Sequence, residues 1–356
     1  MTGVQTCALP IFNKKRINRI LLINLKYLGD LVVCSPIYNS LKKYFPECEI
    51  DIIVRKGFST LFDLDKNISK VIEFDLPAMR KLKGPERIKN ELDFLSKIRK
   101  SKYDLVITFH PTDRLAFWSF LSGAKYRVGY QDQSFGYLFN LKINAIEESM
   151  NYYDYYLETI RILDIPVTKP QRNFNLNDKF VKKVNEYFLD NNIDPVKNII
   201  ALHPGASTIE KIWSPEKYAE LIGKLEAKGF TVILLKGPND TQIISDITAK
   251  RKNVLIADTS ENIGLLAAFI SKIKLLICND SASSHIAAAV GTKCIVVKSR
   301  EKIHCWNIYS EEEGHFYIYG DLCEDCALDG CKGNRCLMDI PVNVVFDKTI
   351  EQIDAE

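Results

Sequence analysis

No apolar run in this 356-residue chain approaches the length that crosses a membrane, and the stretch Cys7–Phe12 is too short for a signal-peptide core. Neither sign of charge dominates. With 48 Lys and Arg against 45 Asp and Glu, the net charge is only +3, which does not call for nucleic acid as a partner. Apolar residues at 46% and charged residues at 26% exclude a disordered, collagen-like or coiled-coil chain. What is left is a globular protein expected in the cytoplasm and long enough for two α/β domains. The basic stretches Lys14–Arg19 and Lys97–Lys102 allow peripheral contact with the inner face of the inner membrane, although solvated faces explain them as well.

Residues 1–12 (MTGVQTCALPIF) are unlike the rest of the chain and resemble translated adapter read-through, which sets the expected native start near Asn13. Ten cysteines are many for a reducing compartment. Cys34, Cys48, Cys278 and Cys294 sit in or beside apolar elements, where a free thiol behaves as a small hydrophobe. Cys323, Cys326, Cys331 and Cys336 cluster in a Gly- and Asp-rich loop as C-x2-C-x4-C-x4-C. That pattern allows a zinc site or reduced thiols packing a loop. The compact spacing and the lack of a His inside it favour the thiols.

Strand and helix patterns alternate along the chain. In the first half, strands are expected at Ile20–Leu25, Ile50–Val54, Val71–Phe74, Leu105–Phe109 and Arg127–Gly129. Helices are expected at Asp30–Tyr44, Glu86–Lys100, Leu115–Leu121 and Tyr152–Leu163. Asp164–Asn177, with two prolines and no periodicity, reads as a linker. A second series comes after it, with strands at Ile199–Leu202, Val232–Leu235, Val254–Ile256, Leu275–Cys278 and Cys294–Val297. Its helices fall near Pro215–Lys228, Thr241–Lys250, Ile263–Ile273 and Ser283–Val290. The reading is an N-terminal domain over 13–168 and a C-terminal domain over 169–356, each a parallel sheet, with substrates meeting in the cleft between them.

Chemistry belongs at the carboxyl ends of such strands. The loops His203-Pro-Gly-Ala-Ser207 and Asn279-Asp-Ser281 each follow an apolar run and precede a helix, where amides, hydroxyls and a helix N-terminus hold anions. Ser281 and the amides after it suit phosphate oxygens, while Asp280 is better matched to sugar hydroxyls. Lys211 either neutralises a diphosphate or is an exposed surface lysine. His285 either contacts a phosphate or leaving group or bonds a nearby loop. Asp240 either binds a ribose diol or caps a turn. Asp30, after Gly29, is either a helix N-cap or a general base for an attacking hydroxyl. Ser214 and Pro215 mark a helix start.

Taken together, LGD at 28–30 with SLKKYFPECEIDIIV, HPGAS…K-x-W-x-P at 203–215, NDS-x-x-x-H at 279–285 and the CxxC…CLMDI stretch resemble glycosyltransferase family 9, the bacterial heptosyltransferases of the lipopolysaccharide inner core. The likeness runs from about Ile20 to Ile340. It implies an α/β GT-B architecture, two Rossmann-like doubly wound parallel-sheet domains facing a central cleft, with the acceptor on the first and the donor on the second. It also implies a metal-independent inverting enzyme with no cofactor and ADP-heptose as donor substrate. A lipid-linked oligosaccharide would be the acceptor.

On that resemblance Asp30 is the base, Lys211 and the amides near Ser281 and Ala282 steady the departing diphosphate, and Asp280 holds donor-sugar hydroxyls. Ser207 and His285 line the diphosphate, and Asp240 completes the donor set. The chain departs from the family at Ala282-Ser283, where Gly-Pro is usual, and at Lys236-Gly237-Pro238, where Gly-Gly-Pro is usual. Another nucleotide sugar and a different surface glycan, a related epimerase, or a non-catalytic sugar-nucleotide binder are the competing readings. An epimerase needs acid/base pairs beyond Asp30, and no second one is evident.

Overall fold

The computed structural model describes residues 12, 17–144, 150–167, 175–196, 198–300, 303–321 and 335–354. The chain divides into two compact units, Met1–Gln171 and Arg172–Glu356.

The first unit carries β1 (Arg19–Ile23), α1 (Leu28–Val33), α2 (Ser35–Tyr44), β2 (Glu49–Arg55), β3 (Lys70–Phe74), α3 (Leu76–Lys81) and α4 (Gly84–Lys100). It continues with β4 (Leu105–Thr108), α5 (Asp113–Leu121), β5 (Tyr126–Tyr130), β6 (Leu141–Ile143) and α6 (Tyr152–Arg161). All six strands are parallel, in the order β3-β2-β1-β4-β5-β6. The central strands read as unbroken apolar runs because helices cover both faces; Ile20, Leu21 and Leu22 of β1 and Val106 and Ile107 of β4 are fully buried. Thr112 and Asn151 cap α5 and α6 with their side-chain oxygens.

One expected helix is two. The apolar spacing of Asp30–Tyr44 is interrupted at Cys34, because Pro36 has no N–H to offer the preceding turn and its ring disfavours a continued helix behind it. α1 also begins earlier than expected, at Leu28, so Asp30 occupies the third helical position and is not the N-cap. Its carboxylate reaches back to accept from the Tyr27 amide at 3.0 Å. Phe12 stacks edge-on against Phe45 and Tyr126.

The second unit opens with α7 (Asp178–Asp190), which the sequence reading leaves out although Phe180, Val184 and Phe188 recur at helical spacing and are buried. The alternating elements continue as β7 (Ile199–His203), α8 (Pro215–Ala227), β8 (Thr231–Lys236), α9 (Thr241–Lys250), β9 (Leu255–Asp258) and α10 (Ile263–Ser271). Next come β10 (Leu275–Asn279), α11 (Ala282–Val290), β11 (Lys293–Lys298), α12 (Ile303–Trp306), β12 (His315–Tyr319), α13 (Arg335–Asp339) and α14 (Val342–Asp354). The strands again are parallel, ordered β12-β11-β10-β7-β8-β9. Counted from its own first strand, this winding is that of the first unit.

Ser214 caps α8 and Pro215 stands in its first turn, as the sequence predicts. Trp213 is fully buried beside Tyr218, and its indole N–H donates to the Ile340 carbonyl at 3.3 Å. Leu337, Ile340, Val342 and Val345 complete that core, so the C-terminal helices close the α8 side of the sheet. Cys34, Cys48, Cys278 and Cys294 are buried free thiols. Cys336 is a buried free thiol in α13, while Cys323, Cys326 and Cys331 lie outside the described residues. No helix among the described residues is long and apolar enough to cross a membrane.

Candidate active site

In each unit the strand order reverses direction beside the first strand, and ligands of doubly wound sheets bind in the crevice at that point. In the second unit the switch lies between β7 and β10, which pair directly, with Cys278 opposite His203. The two loops singled out from the sequence, after His203 and after Asn279, are the ones that flank it.

Asn279 binds them together. Its fully buried side chain donates to the Pro204 carbonyl at 2.6 Å and accepts from the Trp213 amide at 3.1 Å. One amide therefore fixes both ends of the segment that carries Lys211. The Lys211 ammonium lies 2.8 Å from Asp280 Oδ2, and a second ammonium, Lys298 at the end of β11, lies 3.9 Å from Asp280 Oδ1. Burial works against ionisation of Asp280, but Lys298, Lys211 and His285 together outweigh it and hold the carboxyl below its ordinary value. Burial depresses the Lys298 ammonium, with Asp280 opposing and Lys211 adding to the shift.

Ser281 is the N-cap of α11, its hydroxyl 2.8 Å from that of Ser283, and Ala282 is the first helical residue. His285, one turn in, is buried with Nδ1 2.8 Å from the Tyr309 hydroxyl and its ring near Trp306. Lys211, Asp280, Ser281, Ala282 and His285 are thus gathered at the β10 end. Ser207 is exposed on its loop. Asp240 is engaged elsewhere: Oδ2 accepts from the Gly237 amide at 2.7 Å and lies 3.5 Å from His203 Nε2. A Cβ at Gly205 would overlap the Asp240 carboxylate, so glycine is required for that approach. His203 is shifted down by burial, with Asp240 opposing. Lys236 pairs with Asp258 at 2.8 Å.

In the first unit the switch lies between β1 and β4. Asp30 follows β1 and is almost wholly buried. Its Oδ1 accepts from the Tyr156 hydroxyl of α6. Burial pushes the Asp30 carboxyl up, and the Tyr156 hydroxyl, the Lys26 charge and the Tyr27 amide pull it only part of the way back. His110, just past β4, is driven down to about 3 by burial and by the nearby charges of Lys26 and Arg55, so it is a neutral imidazole at physiological pH. Arg55 lies over the Tyr27 ring, 4.5 Å from its centre. Other polar residues of this half are taken up in the fold. Arg114 pairs with Glu91 at 2.9 Å, and Arg127 donates to the Leu138 and Ala124 carbonyls.

Among the described residues no group of three or more His, Cys, Asp or Glu is placed to hold a metal ion. Tyr156, Lys298 and the clamping role of Asn279 are absent from the sequence reading. A lysine closing the apolar run Cys294–Lys298 was the available signal for one of them.

Two six-stranded parallel sheets of the same winding, each with polar loops at its switch point, are the two Rossmann-like domains of a GT-B fold. Residues 92–322 match glycosyltransferase family 9 (heptosyltransferase), and the chain belongs to that family. It is similar to lipopolysaccharide heptosyltransferase 3 of Escherichia coli, 23% identical over 84% of this chain and 88% of that one. Two solved structures share its fold at 17% identity. The family 9 glycosyltransferase of Veillonella parvula has a TM-score of 0.80, covering 95% of this chain and 98% of that one. Escherichia coli heptosyltransferase WaaC with ADP-2-deoxy-2-fluoro heptose has a TM-score of 0.72, covering 94% and 99%.

Proposed function

We propose that this enzyme moves a heptose from ADP-heptose to the lipopolysaccharide inner core by one inverting displacement that needs no metal ion. The observation that carries the proposal is the buried Asp30 carboxylate at the first switch point, raised by its surroundings toward the range useful to a base. An acceptor hydroxyl attacks the anomeric carbon, its proton passes to Asp30, and the bond from that carbon to the diphosphate oxygen breaks with release of ADP. Charge grows on the diphosphate in the transition state, where Lys211 and the amides at Ser281 and Ala282 would be most effective. The ADP-sugar analogue bound to the WaaC relative supports the choice of donor.

In this reading the first unit, assigned to 13–168, takes the acceptor, and the second, 169–356, takes the donor. Asp280 serves the donor-sugar hydroxyls, and Ser207 and His285 line the diphosphate. Asp240, whose Oδ2 accepts from the Gly237 amide and lies near His203, shapes the nucleotide loop and completes the donor set at the ribose. The lipid-borne acceptor also calls for peripheral membrane contact. Ile88 and Leu92 of α4 and Phe117 and Phe120 of α5 are exposed, and nine Lys and Arg against three acidic residues lie between Arg80 and Lys102.

Purified enzyme is expected to release ADP from ADP-heptose only when a lipid-linked core acceptor is added. Turnover of UDP-sugars in preference, or of no sugar nucleotide at all, would overturn the proposal. Co-sedimentation with anionic vesicles at low salt, lost at high salt, is the expected membrane result.

A further inference from the structure

Lys298 is a lysine where the strand pattern calls for an apolar residue. It closes the run Cys-Ile-Val-Val-Lys of β11, and its side chain is only 2% exposed. An ammonium is kept in such a place only if something compensates it. Its contacts are all long: 3.9 Å to Asp280 Oδ1, 3.5 Å to Asn307 Oδ1, and 5.7 Å to the centre of the Tyr317 ring. No close ion pair among the described residues consumes it.

The other cation on Asp280 differs in every respect. Lys211 sits on the single turn Ile209–Lys211, is 33% exposed, and makes a close pair at 2.8 Å. One lysine can leave the carboxylate and the other cannot. Two ammonium groups share one carboxylate, so the cluster carries one positive charge in excess, facing the loop ends that would meet an anion. The remaining groups that act on Asp280 are His285 from α11 and, on β12, Tyr317 and Tyr319.

We propose that Lys298 is a positioning residue that keeps Asp280 counter-charged from the buried side, so that Lys211 can transfer from Asp280 to the diphosphate of the nucleotide. The inference rests on the donor reading of this loop pair. Without Lys298, Lys211 could reach a ligand only by stranding a carboxylate that is itself only 19% exposed. Lys211 would then stay where it is.

The test is titration of the full chain with ADP, which lacks the sugar that Asp280 is proposed to hold, in a double-mutant cycle. Lys298→Met is expected to weaken ADP binding by about tenfold or more, as removal of one partner of a buried charge pair does. In an Asp280→Asn background the same change should cost less than about threefold, because no carboxylate is left to strand. A merely structural lysine would cost the same in both backgrounds, and that result would overturn the proposal, as would wild-type affinity in Lys298→Met. If Lys298→Met does not fold, Asp280→Asn/Lys298→Met removes both charges together. It should bind ADP as Asp280→Asn does; failure while Asp280→Asn binds overturns the proposal. Folded wild-type protein that binds no ADP would instead sink the donor reading itself, and this inference with it.

Discussion

The Tyr156 hydroxyl donates to the Asp30 carboxylate across 126 positions of sequence, while the Tyr27 amide holds the other oxygen at 3.0 Å. Both bonds favour the ionised carboxylate against the burial that disfavours it. Tyr156→Phe removes one of them, so the folded-state pKa of Asp30 rises further. On its proposed role as base Asp30 must be ionised, so the acid limb of the kcat profile should move to higher pH by about one unit, with most of the rate regained in alkaline buffer. An unmoved limb in the pH–rate profile would separate Tyr156 from the base.

Asp30→Asn should abolish transfer, by at least about a hundredfold, and leave ADP binding intact. It should also stabilise the protein at neutral pH. A carboxyl whose folded pKa lies above its unfolded value lends stability below the unfolded value and loses it as pH rises through the folded one. At about pH 7.5 the ionised buried group is therefore a net cost that the amide relieves. A melting midpoint higher by about 2–4 °C is expected, with the difference vanishing near about pH 4. Equal midpoints at both pH values would contradict the upward shift.

Lys211→Ala should weaken ADP by about tenfold or more and flatten the salt dependence of binding, since an exposed cation is screened where a buried one is not. Isothermal titration at two ionic strengths checks both. Retained affinity with an unchanged salt slope would return Lys211 to the surface-lysine reading.

Asn279→Ala leaves the Pro204 carbonyl and the Trp213 amide without partners in a dry interior. Destabilisation of about 2–4 kcal/mol is expected, measured by urea unfolding followed through tryptophan fluorescence. ADP should raise the midpoint of this variant less than that of wild type, because the loops it would bind are no longer fixed. A loss under about 0.5 kcal/mol would mean that water replaces both bonds.

The alternation of apolar runs and helical spacing was enough to read the two parallel sheets and to put the loops after His203 and Asn279 at strand ends, since burial on both faces writes itself directly into strands such as Ile199–His203 and Leu275–Asn279. The short β6 and the edge strand β12 were not legible, having three residues in one case and a His-Phe-Tyr-Ile-Tyr run without clean alternation in the other. The break at Cys34 was legible in principle from Pro36 and was outweighed by continuous apolar spacing. Candidate side chains were identified by type and position. Their pairings were not: nothing local marks Tyr156 as the neighbour of Asp30 or Lys298 as that of Asp280, because both relations are made by packing between distant elements. The Asp30 reading as an N-cap missed by position: the helix starts two residues earlier, and Asp30 bonds back to the Tyr27 amide from its third position.

The winding of the first unit has a consequence for its synthesis. Its sheet starts at the centre, with β1, and finishes at the edge with Ile143, so every strand is in hand well before the second unit is translated. Asp30 is made among the first residues of that sheet, but the phenol that holds it arrives only with α6, after the last strand. The first sheet can therefore be complete before the contact from Tyr156 to Asp30 is possible, and that contact waits on the last helix of the unit.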